Sequence, residues 1–129
     1  MSPQQVKLTD AEWRVMECLW EHSPQTGREM AERLEARVGW NRSTSLTLLR
    51  RLVAKGAVRC DGSGAVKTFA PAVERDDAAV RETDDLLDRV YQGSVRMLVS
   101  ALTRKRSVSP EELRELHAML EAWEAEHHD

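Results

Sequence analysis

RSTSLTLLRRLVAK, residues 42–55, sets the architecture of this chain, because the helix it predicts has one apolar face and one polar, basic face. At about 100° per residue, the larger apolar side chains point inward. These inward residues are Leu48, Leu49, Leu52 and Val53. The outward face suits the major groove of DNA, where arginine reaches guanine edges or phosphates and small residues allow close approach. The candidate DNA contacts on this helix are Arg42, Ser43, Thr44, Thr47, Arg50, Arg51 and Lys55.

Charge is divided unevenly along the 129 residues. The net charge is -3, yet residues 1–71 hold 11 Lys and Arg against 8 Asp and Glu, and residues 72–129 hold 8 against 14. Residues 36–60 contain six basic side chains and no acid. Such a window creates a local positive potential that attracts phosphate groups. The predicted helix therefore lies in the part of the chain best suited to nucleic acid.

Two further helices precede this one, and each begins with a capping-box pattern, in which a threonine is followed three residues later by a glutamate. The boxes are Thr9 with Glu12 and Thr26 with Glu29. The first helix is predicted to run to about His22 and the second to end at Gly39. Asn41 or Ser43 caps the third helix, which Gly56 ends. Two helices joined by a short connection, followed by a DNA-reading helix, predict a helix-turn-helix.

A short hairpin is predicted after the third helix. Its strands are residues 57–61 and 65–70. Residues 62–64, Gly-Ser-Gly, are expected to supply the positive φ of a tight hairpin turn. Arg59 and Lys67 flank this turn, where each is either a phosphate contact or plain surface charge. We therefore predict a winged helix-turn-helix DNA-binding domain over residues 1–71, in a fold that is mainly α with a small β-hairpin wing.

Residues 72–129 predict a C-terminal helical domain. Glu74 begins a long helix that runs to about Gln92, a second helix carries Val95–Leu102, and Ser109 with Glu112 caps the last one. Each of these helices carries an apolar stripe on one side. A segment of fewer than 60 residues is too small to bury these stripes well alone, which favours pairing with a second copy of the chain. The candidate dimerisation residues are Leu86, Leu87, Val90, Leu98, Leu102, Leu113, Leu116, Leu120 and Trp123.

Other classes of protein fit the sequence poorly. It has no HExxH motif, phosphate-binding glycine loop or nucleophile elbow, so we expect no enzymatic activity. Cys18 and Cys60 lack metal-ligand spacing, and we expect no cofactor or metal. Residues 1–7 contain no export signal and the chain no membrane-spanning apolar run, which predicts a cytoplasmic protein. The alternative is a winged-helix scaffold that binds protein, and Leu46, near the edge of the outward face, is its only support.

Four stretches resemble the penicillinase-repressor family, the BlaI/MecI/CopY group of bacterial regulators. They are LTDAEWRVMECLW (8–20), NRSTSLTLLRRLVAKGAV (41–58), FAP (69–71) and RVYQGSVRMLVSAL (89–102). The resemblance implies a homodimer that binds a palindromic operator through two winged helices and blocks transcription, often of antibiotic-resistance or metal-handling genes. It assigns dimerisation to the helices after Pro71. It assigns the recognition role to Ser43, Thr44, Thr47, Arg50 and Arg51.

Two departures from the family pattern concern the inducing signal. Copper-responsive members end in a cysteine-rich cluster, whereas this sequence ends EAWEAEHHD with no cysteine after Cys60. In β-lactam-responsive members an inducing protease, bound to the membrane, cuts an Asn-Phe bond in the dimerisation region. Ala101 and Leu102 align with that bond here. The resemblance therefore implies a repressor without implying copper sensing or cleavage at that bond.

Overall fold

The computed structural model describes residues 6–128, so residues 1–5 of the N-terminal segment and residue 129 lie outside it. The described helices are α1 (Asp10–Glu21), α2 (Gly27–Val38), α3 (Arg42–Lys55), α4 (Arg75–Tyr91), α5 (Val95–Lys105) and α6 (Pro110–Glu126). The strands are β1 (Gln25–Thr26), β2 (Val58–Asp61) and β3 (Thr68–Pro71). Within residues 6–128, every helix is too short or too polar to span a bilayer. The chain divides into two compact units, Met1–Asp85 and Leu86–Asp129.

Both predicted capping boxes are confirmed. At the start of α1, the Glu12 amide donates to the Thr9 hydroxyl at 3.1 Å, and the Thr9 amide donates to the Glu12 carboxylate at 2.9 Å. Thr26 and Glu29 repeat the same pair of bonds at α2. Each box satisfies backbone N–H groups that have no partner inside the helix. Local sequence therefore fixes where these two helices begin.

The start and end of α3 are also set by local chemistry. The Asn41 side chain accepts a hydrogen bond from the Thr44 amide at 2.8 Å, which selects Asn41 over Ser43 as the cap. Gly56 ends the helix with φ of 86°, a left-handed conformation that costs a residue with a Cβ about 1–2 kcal/mol. Gly39 ends α2 in the same way, with φ of 78°. The predicted bounds of both helices are confirmed.

The sheet corrects the predicted hairpin. It has three strands in the order β1-β3-β2, all antiparallel, and β1 pairs Gln25 with Phe69 and Thr26 with Thr68. The tight glycine turn is wrong, because the glycines with positive φ in the described chain are Gly39, Gly56 and Gly93. Six residues, 62–67, separate β2 from β3. The loop starts with the Ser63 amide donating to the Asp61 carboxylate at 2.9 Å, a local bond typical of turns that begin at Asp.

The core of the first unit lies between α1, α2, α3 and β2. Val15, Met16 and Leu19 of α1 are fully buried, and they pack with Met30 and Leu34 of α2 and Leu49 and Leu52 of α3. Burying each side chain of this size contributes about 1.5–3 kcal/mol. Helix α1 thus packs on two sides, against α2 and α3. This packing holds α3 against α1 and α2.

Two tryptophans hold the segment after the wing against α1. The Trp20 indole donates to the Val73 carbonyl at 3.0 Å, and its ring meets Trp13 edge-on with centroids 5.2 Å apart. Arg75, the first residue of α4, bonds Glu17 at 2.9 Å and lies 5.8 Å from the centre of the Trp13 ring. These contacts give both tryptophans a packing role, and they hold the first residue of α4 against α1.

The second unit contains the end of α4 with α5 and α6. Gly93 follows α4 with φ of 80°, Ser94 caps α5, and Ser109 caps α6 by accepting from the Glu112 amide at 3.0 Å. Pro110 occupies the first turn of α6, where its missing N–H costs nothing. No residue described in these three helices is buried within a single chain.

Candidate nucleic-acid interface

Helix α3 separates an inward and an outward face, as the sequence predicted. Leu48, Leu49 and Leu52 are buried at 6%, 2% and 0% exposure, while Val53 is half-buried. Ser45 is buried as well, at 1% exposure, which sequence reasoning missed. The leucines anchor the helix to α1 and α2, and the outward side chains are thereby held on a rigid support.

All the predicted DNA contacts on α3 have exposed side chains. The exposed positions are Arg42, Ser43, Thr44, Thr47, Arg50, Arg51 and Lys55. Leu46, which would support a protein-binding scaffold, is half-buried and packs against the core. Within residues 6–128, α3 exposes no large apolar side chain. The outward face therefore offers mainly hydroxyl and guanidinium groups to a partner.

The wing adds two cations at the predicted positions. Arg59 lies on β2 and Lys67 in the loop just before β3, and both side chains are exposed. Val66, beside Lys67, is 61% exposed and gives the wing loop an apolar point. Arg28, in the first turn of α2, lies with Arg42, Arg50 and Lys67 around one cavity. Sequence reasoning missed Arg28, although its place directly after a capped helix start was a usable signal.

Lys55 differs from the other predicted contacts because the protein itself binds its ammonium group. The Lys55 Nζ donates to the Glu12 carboxylate at 2.6 Å and to the Lys7 carbonyl at 3.0 Å. Glu12 is only 2% exposed. Burial raises the pKa of the Glu12 carboxyl, but the hydrogen bond from Lys55 and those from Thr9 outweigh it, so the pKa is lowered overall. The pair joins the end of α3 to the start of α1.

The predicted dimerisation residues form apolar surface on the second unit. Leu86, Leu87 and Leu98 are half-buried. The exposed members are Val90, Leu102, Leu113, Leu116, Leu120 and Trp123, at 40% to 66% exposure. Met119, at 66% exposure, adds to this surface and was missed. So many exposed large apolar side chains on three helices favour an interaction surface.

The chain is similar to known proteins over most of its length. The penicillinase repressor family profile matches residues 8–122. The chain is 30% identical to a penicillinase repressor of Bacillus licheniformis over 115 residues, covering 89% of this chain and 90% of that protein. It is 25% identical to the methicillin resistance regulatory protein MecI of Staphylococcus aureus strain N315, covering 93% of this chain and 98% of the relative.

Two solved structures match more than half of the chain. The solution structure of the DNA-binding domain of the repressor BlaI matches with a TM-score of 0.51 and 32% identity, covering 60% of this chain and 90% of that one. A monomeric form of Bacillus licheniformis BlaI in complex with the blaP half-operator matches with a TM-score of 0.51 and 32% identity, covering 56% of this chain and 88% of that one. The predicted winged helix-turn-helix fold is confirmed, and the chain belongs to the penicillinase repressor family.

Proposed function

We propose that this chain is a transcriptional repressor that binds a palindromic DNA operator as a homodimer. The observation that carries the proposal is the outward face of α3, where exposed hydroxyl and guanidinium side chains lie on a rigid helix within a segment free of acids. A helix of this width and chemistry fits the major groove. BlaI, whose fold this chain shares, forms a complex with the blaP half-operator, which supports DNA as the partner.

Contacts within the interface divide by chemistry. Arg50 and Arg51, in the middle of α3, reach base edges or phosphates, and Ser43, Thr44 and Thr47 donate and accept hydrogen bonds near the start of the helix. Arg42, Arg59 and Lys67 lie on its flank and on the wing, where they bind phosphate and set the register on the duplex. Lys55 contributes least to DNA binding, because Glu12 already binds its ammonium group.

Dimerisation follows from the surface of the second unit and from the energetics of DNA binding. One winged helix with a few phosphate contacts binds weakly at cellular salt, whereas two linked copies read two half-sites in register. We assign residues 1–71 to DNA binding and residues 72–129 to the dimer, with the apolar side chains of α4, α5 and α6 in the interface. Two-fold protein symmetry then requires two-fold operator symmetry.

The relatives suggest what the repressor controls. Their names refer to penicillinase and to methicillin resistance, so we propose that this chain represses resistance or stress-response genes. An inducing protease is a candidate partner, and cleavage by it would have to be tested apart from the Asn-Phe bond, which Ala101 and Leu102 replace here. A regulator of this kind works where the chromosome is, which places it in the cytoplasm, and its action involves no catalytic step or cofactor.

DNA binding is tested by fluorescence anisotropy with DNA from upstream of the chain's own gene, against scrambled DNA, at several salt concentrations. Arg50→Ala and Arg51→Ala should each weaken operator binding and lower the dependence of affinity on salt, because each removes a positive contact. Arg14→Ala, an exposed arginine of α1 outside the acid-free segment, is the matched control. Unchanged affinity in both α3 variants would refute the assignment of this helix.

Dimerisation is tested separately by analytical ultracentrifugation. Leu116→Glu with Leu120→Glu should give monomers, because charges replace apolar side chains in the interface. Ala118→Glu is the control, since it places one such charge on the opposite face of α6. A dimer that persists in the double variant contradicts the proposed interface.

A further inference from the structure

A cavity of about 530 Å³ opens between the start of α2, the side of α3 and the wing. Its volume lies within the range of about 300–1,000 Å³ that small-molecule sites have. All of its lining residues belong to the first unit. Gly27 borders the cavity, and a Cβ there would lie 3.3 Å from the Leu46 side chain and 3.7 Å from the Phe69 side chain. The glycine therefore leaves free the space that a side chain would fill.

The floor and walls of the cavity are apolar. They are formed by Leu46, Leu49, Val53, Val66 and Phe69. Leu49 belongs to the core, whereas Leu46, Val53 and Phe69 are half-buried and pack against it. DNA phosphates do not bind to apolar side chains, because their contacts with protein are hydrogen bonds and ion pairs. The apolar floor is therefore left unexplained by operator binding.

The rim of the same cavity is positively charged. Its cations are Arg28, Arg42, Arg50 and Lys67. Arg28 bonds Glu32 at the surface, while no acid lines the cavity itself among residues 6–128. An apolar floor below guanidinium and ammonium groups complements a molecule with an apolar body and one negative group, because each part then meets its own kind of partner.

We propose that this cavity binds a small organic anion with an apolar body, such as an aromatic or alkyl carboxylate or sulfonate. The apolar body lies on Leu46, Val53 and Phe69, and the anionic group pairs with Arg28, Arg50 or Lys67 at the rim. The regulatory consequence rests on the proposed function. Arg42, Arg50 and Lys67 are also assigned to DNA, so a bound anion competes with the operator for the same cations and releases the repressor.

The binding experiment uses full-length protein and 8-anilino-1-naphthalenesulfonate, an aromatic sulfonate whose fluorescence rises in apolar sites. We expect the sulfonate to bind saturably. N-phenyl-1-naphthylamine, which has the same apolar body without the sulfonate, should bind at least about tenfold more weakly, because the charge-assisted hydrogen bonds are then lost. Equal affinity for the two probes overturns the role of the cationic rim.

Variants place the probe in the cavity. Val66→Asp puts a negative charge on an exposed wall residue, which the fold tolerates, and should weaken binding of the sulfonate at least about tenfold. Ala118→Asp is the control, since it adds the same negative charge at an exposed position on the face of α6 opposite its apolar stripe. If both variants bind the probe like the parent protein, the probe lies elsewhere and the proposed site is wrong.

Cys60 supplies a second readout at the same place. Its thiol is exposed and lines the cavity, whereas Cys18 is 1% exposed. Bound sulfonate should slow alkylation of Cys60 by iodoacetamide, followed by mass spectrometry, and the neutral probe at the same concentration should protect less. Alkylation at the unprotected rate in saturating sulfonate contradicts the proposal.

A competition experiment separates this inference from the proposed function. Operator DNA should displace the sulfonate, and the sulfonate should lower operator affinity. If DNA binds normally while Cys60 stays unprotected, the cavity proposal fails and the repressor stands. If Cys60 is protected while no DNA binds under any salt condition, the repressor fails and the cavity stands. Simultaneous binding of both ligands overturns the regulatory consequence.

Discussion

Replacing Glu12 with glutamine tests how the end of the recognition helix is held. Glu12 is 2% exposed and its carboxylate accepts from the Lys55 ammonium at 2.6 Å and from the Thr9 amide at 2.9 Å. Glutamine keeps an oxygen that can accept from Thr9 but loses the charge that Lys55 needs. The substitution therefore removes the ion pair while retaining the size of the side chain.

The magnitude follows from burial on the two sides of the pair. A hydrogen bond between charged groups contributes about 1.5–3 kcal/mol to stability. The Lys55 side chain is 38% exposed and is partly solvated when its partner is lost, so the lower part of that range applies. We expect Glu12→Gln to lower the free energy of unfolding by about 1.5–2 kcal/mol.

Urea denaturation at one fixed protein concentration is the assay, because dimerisation makes stability depend on concentration. Glu29→Gln is the control, since Glu29 occupies the same capping-box position in α2 with an exposed side chain and should show a smaller loss. A double-mutant cycle with Lys55→Met isolates the pair, with an expected coupling of about 1–2 kcal/mol. A loss no larger than that of Glu29→Gln, or a coupling near zero, refutes the reasoning.

Further measurements follow from the same structure. The pKa of Glu12 is lowered in the folded state, so the contribution of its carboxylate to the free energy of unfolding is complete above the unfolded pKa of about 4.3. This contribution is lost as pH falls through the folded pKa, and urea titrations should show the stabilities of the parent and Glu12→Gln converging in acid. The buried Ser45 hydroxyl has no hydrogen-bond partner among residues 6–128, so Ser45→Ala should leave stability unchanged or raise it by up to about 1 kcal/mol, and a clear loss contradicts this. Gly56→Ala should lower the free energy of unfolding by about 1–2 kcal/mol, because φ at this position is 86°. Gly62→Ala should lower it little, because φ there is not positive and the added Cβ would lie 3.9 Å from the Lys67 side chain; equal thermal midpoints of the two variants contradict the assignment.

Much of the candidate site was readable from the sequence because it depends on one helix. The cap at Asn41, the stop at Gly56 and the separation of leucines from arginines on α3 are local properties, and the exposed positions follow from helical periodicity. Apolar stripes on α5 and α6 were predicted for the same reason. Contacts with DNA and with a second copy stay predictions, since they depend on groups outside the chain.

Other features needed distant parts of the chain to meet. Gln25 and Thr26 form a strand only because Phe69 and Thr68 lie beside them, and two residues carry no periodicity of their own. Glu12 was readable as a helix cap, whereas its pairing with Lys55 joins residues 43 positions apart. Hydrogen bonds and side-chain periodicity within a helix depend on neighbours three or four positions away, so the sequence displays them. The cavity between Arg28, Leu46 and Lys67 depends on how α2, α3 and the wing pack together, and packing is a property of the folded chain.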